Sequence, residues 1–121
     1  MDTPTANFIQ ILQDRVESLR QDGNLHEALH AANAANEKCQ HELSPDLDTI
    51  DAFSTALETR AGLFLELGQC EDAIEDAKHA IDQLDNRPDR LGQVGRLYAL
   101  LGAAYDGQDR PDKVIWAWQA A

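Results

Sequence analysis

One phrase occurs twice in this chain, as Gly23-Asn24-Leu25-His26-Glu27-Ala28-Leu29 and, forty-five residues later, as Gly68-Gln69-Cys70-Glu71-Asp72-Ala73-Ile74. Each copy reads glycine, polar, apolar, polar, acid, alanine, branched aliphatic, with Cys70 as a small apolar residue. Alanines follow at matching helical offsets, Ala32 and Ala35 in the first copy, Ala77 and Ala80 in the second. A glycine turn that restarts a helix at a fixed interval is the mark of a stacked helical array. In such an array each unit buries its apolar face only against its neighbours.

The pattern extends backward. Leu12, Val16 and Leu19 precede Gly23 at the offsets where Leu57, Ala61 and Phe64 precede Gly68, and a third copy follows as Tyr98, Leu101, Gly102 and Tyr105, a turn over Gly107 to Asp109, then Val114, Trp118 and Ala121. Tyr98, Leu101, Gly102 and Tyr105 fall where tetratricopeptide repeats carry Trp, Leu, Gly and Tyr. The chain resembles a three-repeat tetratricopeptide domain over nearly its whole length, with units at about 4–43, 45–85 and 88–121. The resemblance implies an all-α fold of six helices, in antiparallel pairs stacked into a right-handed superhelix. Corresponding positions lie 45 and 41 residues apart (Leu12 to Leu57, Leu57 to Tyr98), against a family period of about 34. The excess approximates whole helical turns at about 3.6 residues each. Lengthened helices are therefore expected, with the extra residues between one unit's second helix and the next unit's first. Repeats one and two carry Arg15 and Arg60 where the family has leucine.

Local signals place the helix ends. Thr3-Pro4 reads as the cap and first turn of the first helix, and Ser44-Pro45 as the start of the third, with Asp46, Asp48 and Asp51 near its positive end. Asn86-Arg87-Pro88 breaks the chain before the fifth helix, and the sixth starts near Pro111. No stretch alternates with the period of a strand.

Composition narrows the function. The 121 residues make one domain with 22 acids against 10 bases, a net charge of −12. That sign opposes the phosphate backbone, and no basic stripe interrupts it, so no nucleic-acid partner is expected. No leader pattern opens the sequence and no apolar run spans a membrane, which together predict a cytoplasmic protein without a membrane partner. Cys39 and Cys70 read as free thiols of a reducing compartment.

His26-Glu27-Ala28-Leu29-His30 matches the zinc-hydrolase pattern H-E-x-x-H. On a helix, residues four apart share a face, so two imidazoles could bind zinc while the glutamate activates water. The repeat already accounts for Glu27, Ala28 and Leu29, and Asn33 and Asn36 stand where a metzincin would place glycine and its third histidine. Asp46 and Asp48 begin like a calcium loop that Ile50 and Asp51 then break. His41 and His79 stand alone. The sequence therefore predicts no cofactor, no metal and no catalytic site.

The resemblance implies that the first helix of each pair lines a concave groove. By repeat offset this groove takes Gln13, Asp14 and Glu17 from the first unit, Glu58, Gly62, Leu65 and Glu66 from the second, and Arg96, Ala99, Leu100 and Ala103 from the third. Family members that hold chaperone C-termini use a clamp of Lys, Asn and Arg. Here Gln13, Glu17, Thr59 and Leu100 occupy those places and only Arg96 keeps the charge, so a basic or amphipathic segment fits better than a free carboxylate. At the C-terminal end, Trp118 is expected inside the third pair, with Ile115 and Trp116 turned outward. An exposed apolar end marks a partner site. Two-fold self-association into a homodimer and membership of a longer array are both open. The expected function is a non-enzymatic protein-interaction scaffold. A zinc hydrolase on His26, Glu27 and His30 and a purely structural oligomerisation unit are the alternatives.

Overall fold

The computed structural model describes residues 2–42, 46–108 and 117–119. Those residues are all-helical: α1 (Thr3–Gln21), α2 (Leu25–Gln40), α3 (Leu47–Glu66), α4 (Cys70–Gln83), a 3-10 turn (Pro88–Arg90) and α5 (Leu91–Gly107), with helix again at residues 117–119. Consecutive helices pack on one another, and α3 also touches α5. The start of the expected sixth helix, near Pro111, lies outside the described residues.

The repeated phrase becomes a repeated turn. Gly23 has φ +80° and Gly68 φ +77°, a left-handed conformation that glycine adopts without a Cβ clash. Around each, two backbone bonds close the helix end. Gly23 N–H donates to Arg20 C=O at 3.0 Å and Asn24 N–H to Leu19 C=O at 2.8 Å; Gly68 donates to Leu65 at 3.1 Å and Gln69 to Phe64 at 2.8 Å. This pair of bonds is the Schellman arrangement. The residue after each glycine then starts the next helix, its carbonyl accepting from Ala28 or Ala73. One residue therefore ends one helix and begins another, which folds each pair back on itself in the shortest space.

The N-terminal caps differ from the expected ones. Asp2, not Thr3, caps α1, its carboxylate accepting from Thr5 N–H at 2.8 Å, while Thr3 and Pro4 are already helical. Asp46 caps α3 in the same way, taking both Thr49 N–H and Thr49 Oγ1 at 2.8 Å. Ser44 and Pro45 lie outside the described residues. An aspartate accepts from the amide three positions on and also places negative charge at the positive end of the helix, so it serves twice where a threonine serves once.

The 45- and 41-residue spacings of the repeat positions are taken up in two places. α3 begins ten residues before Leu57 and α5 seven before Tyr98, so the first helices are long, as expected. The rest forms the α4–α5 connection, where Asn86 turns at φ +60°. That connection is pinned to α3. Asp51 takes Arg90 Nη2 at 2.6 Å and Arg87 Nη1 at 3.1 Å, and Arg87 also holds Asp89 at 2.9 Å. The Arg87 hydrogen bond keeps the Asp89 carboxyl below its usual range.

Packing follows the alanines. Ala28, Ala31, Ala32 and Ala35 on α2, and Ala73, Ala77 and Ala80 on α4, are all buried, so the helix axes can approach closely. The main core joins α3, α4, α5 and Ala117 around Leu57, Leu84, Leu97 and Leu101. A smaller cluster holds α1 to α2 around Val16, and Leu63 of α3 enters it from the second unit. Buried Asn36 ties the same units together by donating to Ala32 C=O at 2.9 Å and, across the junction, to Ala56 C=O at 3.2 Å.

The second pair carries polar bonds across its interior. Arg60 grips Asp76 through both carboxylate oxygens, at 2.6 and 2.8 Å, and donates a third bond to Asn33 at 3.2 Å. Ser54 donates to Gln83 at 3.0 Å. Arg60 thus joins α2, α3 and α4.

Candidate functional site

The three first helices meet at one surface depression of about 290 Å³, lined by Arg20 of α1, Glu58, Thr59 and Gly62 of α3, and Arg96 and Leu100 of α5. Glu58, Gly62, Arg96 and Leu100 were expected in a shared groove, and the structure brings these four together. Arg96 Nε lies 3.1 Å from Glu58 Oε2, with the arginine side chain 64% exposed. Arg20 is paired with Glu66. The two pairs balance each other, so the depression is neutral, with Leu100 and the bare backbone at Gly62 between them. No atom lies within 4 Å of where a Gly62 Cβ would stand, so the space above this backbone is open.

The other expected residues are placed around this centre. Gln13 lines a separate cleft of about 350 Å³ between the N-terminal halves of α1 and α3, with Ile9, Asp48 and Thr55. Asp14 and Glu17 are exposed and accept from Gln10 and Gln21 one turn away on their own helix. Among the described residues no cation pairs with either, which makes the α1 end of the face its acidic part. Leu65 is half-buried against the main core. Arg20 was missed by sequence reasoning because its partner, Glu66, lies two helices further along the chain. The shared helix-end position of the two residues, just ahead of the paired glycines, was the available signal.

At the C-terminal end, Ile115 and Trp116 lie outside the described residues. Ala117 is fully buried in the main core. Trp118 was expected inside the third pair but is 61% exposed. Its indole lies over Gly102, where a Cβ would collide with the ring. By repeat offset Trp118 corresponds to Ala32 and Ala77, which are buried.

His26, Glu27 and His30 are all exposed on α2, and among the described residues no group of three His, Cys, Asp or Glu side chains is arranged to hold a metal ion. Cys39 and Cys70 are free thiols. Burial, with Glu42 nearby, pushes the Cys39 thiol up to about 11. No described helix is long and apolar enough to cross a membrane. In comparison with known proteins, the sequence matches no family model and no curated protein.

Proposed function

We propose that this chain is a protein-interaction scaffold of the tetratricopeptide kind, in which the first helices of successive pairs present one binding face to a peptide or protein segment. The observation that carries this reading is a depression lined by α1, α3 and α5 together. A surface built from three helices of separate units is what a stacked array offers and one helix pair cannot. Its chemistry selects the ligand class. Leu100 and Gly62 accept an apolar side chain at close range, and Glu58 can exchange Arg96 for a basic residue of the partner. Asp14 and Glu17 extend the acidic side toward the first unit. A segment alternating Lys or Arg with apolar residues fits this order, and a net charge of −12 attracts it from a distance. The same charge disfavours nucleic acid. The two free thiols suit a cytoplasmic, reducing setting.

The test is an amide-shift titration with a synthetic Lys/Leu-alternating peptide. Shifts centred on Glu58, Gly62, Arg96 and Leu100, abolished by Gly62→Arg, are expected. Shifts confined to the acidic start of α4 at Glu71, Asp72 and Glu75 would mean simple charge attraction and would overturn the reading.

A further inference from the structure

The step from one first helix to the next occurs twice, and its facing positions are filled differently each time. By repeat offset, Gln13 of α1 and Thr55 of α3 correspond to Glu58 of α3 and Arg96 of α5. Gln13 and Thr55 line the cleft of about 350 Å³ between α1 and α3. At the α3–α5 step an arginine stands in the place of the threonine and reaches across. Arg96 Nε donates to Glu58 Oε2 at 3.1 Å, on the wall of the depression that also holds Gly62 and Leu100.

This pair differs from the ion pairs that hold the helices together. Arg60 grips Asp76 with two bonds, at 2.6 and 2.8 Å, and Asp51 is shared by Arg87 and Arg90. Arg96 makes a single bond, and among the described residues no other paired arginine side chain is as exposed. Its partner is the fixed half: the Glu58 side chain is 22% exposed against 64% for Arg96. A half-buried carboxylate is costly to leave without a cation, whereas an exposed, singly bonded arginine gives up little when it moves into water.

We propose that Arg96 is an autoinhibitory residue. It covers Glu58 until a Lys or Arg of a bound segment takes its place, and the depression binds that segment less tightly for having to displace it. The inference rests on the scaffold reading above and adds the regulation of the same face. A site that is competent only when its own latch is open shows an affinity lowered by the fraction of time it is open. For an exposed pair that reduction is about two- to fivefold.

The experiment is an amide-shift titration of the whole chain with the Lys/Leu-alternating peptide, on wild type, Arg96→Thr and Arg15→Thr. Arg96→Thr recreates the residue found at Thr55. Arg15→Thr removes the same charge from an exposed position that does not line the depression. Arg96→Thr should bind about two- to fivefold tighter than either of the others, and in wild type the Arg96 Nε–H resonance should move as peptide is added. Far-ultraviolet dichroism checks that α5 is intact, and Arg96→Gln, which keeps an unbranched side chain, should give the same gain. Equal or weaker binding by both Arg96 variants, with shifts still at Glu58, Gly62 and Leu100, would overturn the latch and leave the scaffold reading standing. An equal gain in Arg15→Thr would reduce the effect to net charge and also overturn the latch. No shift at those residues in any of the proteins would overturn the scaffold reading and the latch with it.

Discussion

Equivalent positions on the two helices of each pair hold Arg15 and Ala31 in the first pair, Arg60 and Asp76 in the second, and Leu101 and Ala117 in the third. In the third pair both residues are buried in the apolar core. In the second the same place holds a bidentate ion pair, with Asp76 only 6% exposed. In the first, Ala31 is buried while Arg15 is exposed. The first pair closes around the smaller cluster on Val16, and the second shares the main core with α5. One turn geometry therefore serves pairs of different cohesion. A repeat sets where helices reverse, and the residues facing one another inside each pair set how firmly they stay shut.

The largest effect expected to break this comparison is at Asp76. Asp76→Ala strands a mostly buried guanidinium and should cost about 3 kcal/mol, since removing one partner of a buried pair leaves an uncompensated charge. Adding Arg60→Leu, which recreates the Leu101–Ala117 combination, should bring stability back to within about 1 kcal/mol of the parent. Urea unfolding of the two single variants and the double variant closes the cycle. A cost below about 0.5 kcal/mol for Asp76→Ala would mean that the ion pair does not hold the second pair together.

Next come the glycines, where the two pairs should behave alike. Gly23→Ala and Gly68→Ala each place a Cβ in the left-handed region at a cost of about 1–2 kcal/mol. Neither site has a neighbouring atom in the way, so the cost should come from backbone conformation alone. Equal losses in thermal unfolding would sharpen the claim of a common turn, and a loss at one glycine only would break it.

A smaller effect is expected at Arg15. Arg15→Leu gives the first pair the residue type that Leu101 supplies in the third and removes no bond among the described residues, so its unfolding midpoint should correspond to a change within about 0.5 kcal/mol. The smallest contrast is chemical. Cys39, buried and with its thiol pushed up to about 11, stays protonated at pH 8, while Cys70 is partly exposed. An alkylating reagent should label Cys70 first, and mass spectrometry of the digested protein reads the order. Faster labelling of Cys39 would show that the first pair opens readily.

Much of the fold is legible in the sequence because it is written locally. Gly23 and Gly68 announce their turns through the residues beside them, and the alanine spacing on α2 and α4 announces the buried faces. The caps are less legible: Asp2 and Thr3 are both capping types, and only the position of the Thr5 amide decides between them. The Arg60–Asp76 and Arg20–Glu66 pairs join residues on different helices, so no three- or four-residue spacing reveals them. Trp118 misleads because an aromatic residue reads as core, whereas its ring lies over Gly102 with most of its surface exposed. The offsets bring Glu58, Gly62, Arg96 and Leu100 to one depression, but they cannot show that Glu58 already holds Arg96.

The most direct test of the account, that helix pairs of unequal cohesion are stacked through a common turn, is native-state hydrogen exchange resolved by residue. Three levels of protection are expected. Amides of α1 should open at the lowest free energy, those of α2 at an intermediate one, and those of α3, α4 and α5 together near the global value. Uniform protection across all five helices, or greater protection in α1 than in α3, would contradict it.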